Sequence, residues 1–221
     1  MSEVGAIAAQ AASLLPSSLP NPYLDAKSLP YRLRKARFGH IAALIDTVLA
    51  DKGEARILDI GGTEQYWDIA REFLSKRRVS IELVNLHAVP ARSSRFIASA
   101  GDATDLADIP DDAYDIVHSN SVIEHVGGWP RMKAMARNVR RLAPRYYVQT
   151  PNFWFPIEPH FRAPFFHWLP AQLRYRLIMR TSLGFRGRAS SVDGAMASIE
   201  GASLIDRPQM QALFPDAEIR C

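Results

Sequence analysis

The chain has 221 residues, a formal net charge of +4 and 48% hydrophobic residues. This length allows one globular domain, or one domain with an additional lobe, and is enough to bury a core without disulfides or a structural metal. The single cysteine, Cys221, excludes an intrachain disulfide and a metal site built from several thiolates, and it is typical of a reducing compartment.

Neither a membrane span nor a secretory signal is visible in the sequence. No apolar run reaches the roughly 18 residues that a membrane-spanning helix needs. The start of the chain, MSEVGAIAAQAASLLP, lacks the basic region of a secretory signal. We therefore expect a soluble, cytoplasmic protein.

Positive charge is concentrated in one part of the chain. Residues 129–188 contain twelve Lys or Arg and a single acid, Glu158, which gives this segment a net charge of +11. Such a segment is typical of a solvated helix face, and it also favours an anionic substrate, a membrane surface or nucleic acid. No zinc-finger, RNA-recognition or helix-turn-helix pattern accompanies it, so we disfavour nucleic acid and leave peripheral membrane contact open.

The first part of the chain alternates between helix and strand patterns. Residues 1–32, rich in Ala, Pro and Ser, predict an N-terminal arm or cap. Residues 33–50 predict a helix, 56–60 (RILDI) a short buried strand and 64–78 a second helix. Further strands are predicted at 80–86, 95–100, 114–119 and 145–150, and a helix at 129–142. This alternation predicts an α/β fold with a doubly wound, mostly parallel sheet.

The composition changes after the fifth predicted strand. Aromatic and proline residues dominate 151–170, and a basic helix is predicted at 171–180, followed by a Gly, Ser and Arg stretch at 182–191. A last helix is predicted at 207–215, and AEIRC at 217–221 predicts the beginning of a final strand. The predicted domains are an arm at 1–32, a core at 33–152, an aromatic and basic lid insertion at 153–203, and a C-terminal helix with a partial strand at 204–221.

Two glycines, Gly61 and Gly62, follow the first predicted strand. In an open α/β sheet, ligands bind beyond the carboxyl ends of the strands, where a turn without side chains lets the backbone approach them. The G-x-G-x-x-G spacing of nicotinamide-binding turns is absent, because Thr63, Glu64, Gln65 and Tyr66 follow Gly62, and no G-K-[ST] completes a P-loop.

Four motifs occur in order within residues 56–152, namely ILDIGGT, ELVNL, GDATDL and YDIVHSNSVIEHV. Together they resemble the class I S-adenosylmethionine-dependent methyltransferases, in particular the methyltransferase-11-like, small-molecule type with its Rossmann-like core. The resemblance implies S-adenosyl-L-methionine as cofactor. It also implies that Asp59, Gly61, Gly62 and Thr63 lie at the amino-acid end of that cofactor.

The same resemblance implies roles for the ends of the later strands. Asn85, followed by Leu86, stands where the family usually has an acid that holds the ribose hydroxyls, and an amide can also donate to and accept from hydroxyls. Asp102 is implied to accept from the adenine amine, with the Ala103 backbone facing the ring. The residues implied beside the sulfonium are Ser119 and Asn120.

Methyl transfer from a sulfonium requires alignment and exclusion of water more than it requires catalytic side chains. A hydroxyl acceptor also benefits from a general base, for which we expect His125 first, His160 second and Glu124 third. His118 lies inside an apolar strand and is expected to be a core histidine. The stretch PNFWFPIEPH resembles segments of such methyltransferases, which favours Glu158 and His160 as pocket residues.

The implied function is methyl transfer from S-adenosylmethionine to a small-molecule or glycan-like acceptor, at oxygen. A non-catalytic protein of the same fold that binds a ligand or partner stays open, because Asn85 departs from the family's acid and the final strand is incomplete. A nicotinamide-dependent oxidoreductase is disfavoured by the glycine spacing. If the final strand is absent, the unpaired sheet edge favours a homodimer.

Overall fold

A computed structural model describes residues 27–88, 90–184 and 187–220. The chain divides into two compact units, and the boundary lies between Gln149 and Thr150. Most of the predicted arm lies outside the described residues. Within the described ranges, no helix has both the length and the apolar character needed to cross a bilayer.

Helix α1, Leu29–Lys52, opens the first unit. It begins after Ser28, whose hydroxyl accepts a 3.2 Å hydrogen bond from the Tyr31 N–H. It ends at Gly53, which adopts a left-handed conformation with φ of 72°. The helix predicted at 33–50 is confirmed, and the cap at Ser28 starts it earlier, within the segment predicted as an N-terminal arm or cap.

Parallel strands form the sheet of the first unit. Those in the described residues are β1 Ala55–Ile60, β2 Val79–Asn85, β3 Phe96–Ala100, β4 Ile116–Asn120 and β5 Tyr146–Gln149. Their order is β3-β2-β1-β4-β5, and every pairing between neighbours is parallel. Strands β2 and β3 therefore lie on one side of β1, and β4 and β5 lie on its other side. This order confirms the predicted doubly wound, Rossmann-like sheet.

The segment after β1 is not the continuous helix predicted at 64–78. Glu64–Ala70 forms a 3-10 helix, and helix α2 covers only Arg71–Ser75. Three residues per turn bring Trp67 and Ala70 onto one side, and both are buried. Tertiary packing of this aromatic turn therefore overrides the α-helical pattern.

The sheet of the first unit is covered on both faces. On one face, α1 and the 3-10 helix pack against Ile57, Ile81 and Ile116, which are aligned across three neighbouring strands. The next residues along β1 and β4, Leu58 and Val117, are equally buried and lie outside that cluster. Helix α3, Trp129–Leu142, confirms the helix predicted at 129–142 and contacts β4.

The second unit is built from short elements. An antiparallel ribbon of β6 Ile157–Glu158 and β7 Ala163–Pro164 precedes a 3-10 helix at Phe166–Trp168. The α-helices in the described part of this unit are α4 Ala171–Arg180, α5 Val192–Glu200 and α6 Arg207–Leu213. Its core contains Phe161, Phe166, Ile178, Ala195 and Ile199.

Two features of the C-terminal region differ from the sequence prediction. Helix α5 was not predicted, yet Ser191 caps it by accepting a 3.1 Å hydrogen bond from the Gly194 N–H. The strand predicted at 217–221 is wrong over its described part, because Glu218–Arg220 forms no ladder with any described strand. Cys221 lies outside the described residues. The helix predicted at 171–180 is confirmed as α4, and the helix predicted at 207–215 is confirmed as α6, which ends at Leu213.

Candidate functional site

Hydrogen bonds connect the carboxyl ends of β1, β2 and β3 into one edge of the sheet. The Gly61 N–H donates to the Val84 carbonyl over 2.7 Å. The Asn85 side-chain amide donates to the Gly62 carbonyl over 2.9 Å, and the Gly101 N–H donates to the Asn85 carbonyl over 2.8 Å. Three of the four sequence motifs therefore lie side by side along this edge, and the first of them, after β1, lies beside the point between β1 and β4 where the strand order reverses. Open α/β sheets bind ligands at such a point.

The glycine turn has no space for side chains. Gly61 has a φ of 71°, and a Cβ at this position would overlap the side chain of Val122. A Cβ on Gly62 would overlap the carboxylate of Asp59. Both glycines are therefore required by conformation and close packing, because Val122 and Asp59 already fill the space that their side chains would take.

Asp59 lies beneath this turn, with 0% of its surface exposed. One carboxylate oxygen accepts a 2.7 Å hydrogen bond from Trp67 Nε1, and the other lies 2.6 Å from His118 Nδ1. His118 is itself buried, as expected for a core histidine. The structure thus places Asp59 as an internal support of the glycine turn, whereas the sequence resemblance places it against the cofactor.

Asn85 lies at the end of β2 and is half-buried. Its amide nitrogen ties it to Gly62, as described above, while its Oδ1 accepts no hydrogen bond from any described residue. An Asp at this position has no side-chain proton to donate to the Gly62 carbonyl at neutral pH. The amide therefore combines a structural contact with an acceptor that a ligand hydroxyl can use. Leu86 follows it and is exposed.

Asp102 is held by donors on both carboxylate oxygens. Oδ1 accepts from the backbone N–H of Thr104 over 2.9 Å and from its hydroxyl over 2.8 Å, and Oδ2 lies 2.7 Å from Arg131 Nη2. Burial alone would raise the pKa of Asp102, but the Thr104 and Arg131 donors outweigh it and hold the pKa below its ordinary value of 3.8. Asp102 is therefore an ionised acceptor at neutral pH.

The loop that carries Asp102 is also fixed through Ala103. The Ala103 carbonyl accepts a 3.0 Å hydrogen bond from the Asn138 side chain, which belongs to α3. Arg131, in the first turn of α3, donates from Nε to the Val126 carbonyl over 2.6 Å while its Nη2 holds Asp102. Helix α3 thus positions the loop that the sequence resemblance assigns to the adenine ring.

The residues at the end of β4 have different exposures. Ser119 is fully buried, and its hydroxyl donates to the Ile60 carbonyl over 3.2 Å, so it links β4 to β1. Asn120 is half-buried and accepts a 3.4 Å hydrogen bond from the Ser121 hydroxyl. Ser121 has a φ of 59° and marks a sharp turn after the strand. Of the two predicted residues here, Asn120 is the one with surface at the edge.

The predicted general bases lie in both units. Glu124 and His125 belong to a 3-10 helix, Ile123–His125, in which Glu124 is buried and His125 is half-buried. His160 lies in the second unit, where its Nδ1 is 2.7 Å from Glu158 Oε1. Glu158 is buried, and its other oxygen accepts from the Phe161 N–H. Within the second unit the structure therefore brings together Glu158 and His160, the two predicted pocket residues.

Sequence reasoning missed two residues that shape this site. Arg131 was counted only as part of the basic segment, although its place in the first turn of the helix after the fourth motif brings it within reach of Asp102. Trp67 was read as part of a helical pattern, and its indole nitrogen is a donor to Asp59. A buried Asp eight residues before a Trp carries no periodic signal, so only the structure shows this pair.

No protein-family model matches the chain, and neither does any curated protein sequence. The solved structures similar to it include a chain of the Haloferax volcanii complex that contains the Trm112 methyltransferase activator, at 11% identity and a TM-score of 0.44, covering 83% of this chain and 71% of that one. They also include an S-adenosylmethionine-dependent methyltransferase from Archaeoglobus fulgidus, at 21% identity and a TM-score of 0.42, covering 60% of this chain and 62% of that one.

A third similar structure is the 1,6-didemethyltoxoflavin-N1-methyltransferase of Burkholderia thailandensis, with bound S-adenosylhomocysteine, at 14% identity and a TM-score of 0.33. The alignment covers 61% of this chain and 66% of that one. The chain therefore spans less than two thirds of the length of two of these three proteins. At such identities and TM-scores the likeness assigns no activity to this chain.

Proposed function

We propose that the chain binds S-adenosylmethionine at the carboxyl edge of its first unit and transfers the methyl group to an oxygen of a small-molecule or glycan-like acceptor. The observation that supports this is the hydrogen-bonded connection of the Gly61–Gly62 turn, Asn85 and Gly101 along one edge of the sheet, which begins beside the reversal in strand order at β1. This arrangement gathers a backbone-lined turn, an amide acceptor and a carboxylate along one edge, in the order in which an extended nucleoside-containing ligand needs them.

The residues at this edge fit the chemical groups of that cofactor. The turn at Gly61 and Gly62, which carries no side chain of its own, offers backbone groups to the amino-acid part. Asn85 Oδ1 is available to accept from a ribose hydroxyl, and the ionised carboxylate of Asp102 is an acceptor for the adenine amine. Asp59 and Ser119, which are fully buried, take supporting roles in this proposal.

Bound S-adenosylmethionine supplies a methyl carbon that is already activated by a cationic sulfur. The chain has to hold the acceptor oxygen in line with that carbon and remove its proton. The bond from oxygen to carbon forms as the carbon–sulfur bond breaks, and the electron pair of that bond remains on sulfur. We assign the role of general base, which removes this proton, to the half-buried imidazole of His125. The next candidates for this role are His160 and Glu124.

Titration calorimetry with S-adenosylhomocysteine tests the cofactor site. We expect micromolar binding to the native chain and a loss of about tenfold or more in Asp102→Ala, because the adenine acceptor is removed. The matched control is Asp105→Ala, which removes an exposed carboxylate in the same loop and should bind like the native chain. No heat of binding to native, folded protein would contradict the proposal.

A second candidate is a protein of this fold that binds the nucleoside without transferring a methyl group. The observation that favours it is Asn85, an amide in place of the family's acid. Tight binding of S-adenosylhomocysteine combined with no release of this product from S-adenosylmethionine across a panel of phenols, sugars and hydroxy acids would support this candidate. Affinity for NAD in the absence of affinity for S-adenosylhomocysteine would support an oxidoreductase instead.

A further inference from the structure

The second unit contains a cavity of about 330 Å³ whose lining residues all lie between Phe153 and Leu204. Its volume is at the lower end of the range found for small-molecule sites. Aromatic and aliphatic side chains form much of its wall, namely Phe153, Phe161, Phe166, Met196 and Ile199. Two polar residues of the wall, Arg174 and His167, have hydrogen-bonding capacity that the described residues do not satisfy.

Arg174 brings to this wall a positive charge that has no hydrogen-bonded partner among the described residues. It projects from α4, is half-buried, and its guanidinium donates no hydrogen bond to any described residue; its Nε is buried. Burial lowers the pKa of Arg174, although the nearby charge of Glu158 opposes this. Glu158 lines the same cavity and its charge lies near Arg174, but no hydrogen bond or ion pair joins the two; the oxygens of Glu158 bond to His160 Nδ1 and to the Phe161 N–H. A partly desolvated guanidinium that makes no hydrogen bond to any described residue favours an anionic ligand group.

His167 brings an unused acceptor. Only 8% of its surface is exposed, and its Nε2 lies 2.7 Å from the Phe153 carbonyl. A carbonyl oxygen can only accept, so Nε2 carries the hydrogen and the Nδ1 of the neutral ring has a lone pair. That Nδ1 is buried and has no partner among the described residues. A ligand hydroxyl satisfies it by donating its hydrogen.

From these contacts we infer that the cavity binds a small aromatic hydroxy acid. The aromatic ring packs against Phe161 and Phe166, the carboxylate pairs with Arg174, and the hydroxyl donates to His167 Nδ1. This inference concerns binding within the second unit and does not rest on methyl transfer in the first. Loss of cofactor binding and loss of hydroxy-acid binding are therefore separate experimental outcomes.

Calorimetry with 6-hydroxy-2-naphthoate and the full chain tests the inference. We expect saturable binding to the native chain and a loss of about tenfold in Arg174→Gln, the size expected for one charge-assisted hydrogen bond. The control is Arg176→Gln, the same change two residues along α4 at an exposed guanidinium, which should bind within about twofold of native. Absence of binding to the native chain, or an equal loss in both variants, would overturn the inference.

The hydroxyl contact is tested by comparing 6-hydroxy-2-naphthoate with 2-naphthoate, which lacks the hydroxyl. The native chain should prefer the first, and the preference should disappear in His167→Phe, because this change removes the acceptor while keeping an aromatic ring. A preference that persists in His167→Phe would exclude His167 as the partner. Thermal unfolding of each variant shows that it is folded before binding is compared. Ala171→Trp, which introduces a large side chain at the cavity wall, should abolish binding of both compounds.

Discussion

The clearest requirement at the scale of single residues is the absence of a side chain at Gly62. The carboxylate of Asp59 occupies the position that a Cβ would take, and that carboxylate is fixed by Trp67 and His118. Gly62→Ala should therefore lower the free energy of unfolding by about 3 kcal/mol, at the upper end of the cost of overpacking. Chemical denaturation measures this change.

The control for Gly62 is Gly39→Ala. Gly39 lies inside α1, and a Cβ there meets no atom within 4 Å. Since alanine has the higher helix propensity, this variant should be more stable than native by about 0.5 to 1 kcal/mol. If Gly62→Ala unfolds like the native chain, Asp59 is not packed against the turn as described.

Asp102 gives a prediction about pH. Its pKa lies below 3.8 in the folded chain, so it contributes stability that is present above that value and is lost as pH falls through the lower folded pKa. Arg131→Met removes one of the donors responsible and should raise the pKa of Asp102. A carbon-detected NMR titration of the Asp102 side chain measures the shift directly. An unchanged titration would show that Arg131 does not hold this carboxylate in solution.

The single-residue roles show what the sequence could and could not predict. The motif order predicted that Gly61, Asn85 and Asp102 lie at the ends of strands, and parallel strands bring their carboxyl ends to one edge. It could not predict that Asp59 and Ser119 are fully buried. A parallel sheet is covered on both faces, so its strands lack the alternation of polar and apolar residues that would reveal which way each side chain points.

At the scale of elements, local capping determines where several helices begin. Helix α6 has a capping box, in which the Asp206 side chain accepts a 3.0 Å hydrogen bond from the Gln209 N–H and the Gln209 side chain accepts one from the Asp206 N–H. Asp206→Ala should cost about 1 kcal/mol of stability in the second unit, and Asp206→Asn should restore most of it, because Asn is an equally good cap. Thermal unfolding compares the two, and equal losses would contradict a capping role.

The elements that the sequence patterns did not predict are too short for apolar residues to recur over several helical turns. Helix α5 buries Ala195 and Ile199, which are four residues apart, within only nine residues, too short a span for a periodic pattern to stand out. The aromatic residues after β1 are compatible with either an α-helix or a 3-10 helix, and the tertiary contacts of Trp67 favour the 3-10 helix. Long helices such as α1 and α3 were predictable because several turns repeat the same buried face.

At the scale of the whole molecule, exposed aromatic residues and arginines occur in the same region of the second unit. Trp154 and Trp168 are 62% and 41% exposed, and their rings lie 6.1 Å apart. Phe165 is also exposed, and its ring lies 5.0 Å from that of Trp168. Residues 159–192 contain six arginines and no acid. Exposed indoles together with a cationic segment of the chain are typical of proteins that bind the headgroup region of anionic membranes.

We therefore predict that the chain binds vesicles containing phosphatidylglycerol and phosphatidylcholine, and that phosphatidylcholine vesicles alone bind it weakly. The anionic lipid attracts the arginines, while the indoles insert at the interface, so rising salt should weaken binding. Co-sedimentation measures the bound fraction. The Trp154→Ala, Trp168→Ala double variant should lose most of it, whereas Trp129→Ala, which removes an exposed indole from the first unit, should not. Equal binding to vesicles with and without phosphatidylglycerol would contradict this prediction. So would equal losses of binding in the double variant and in Trp129→Ala.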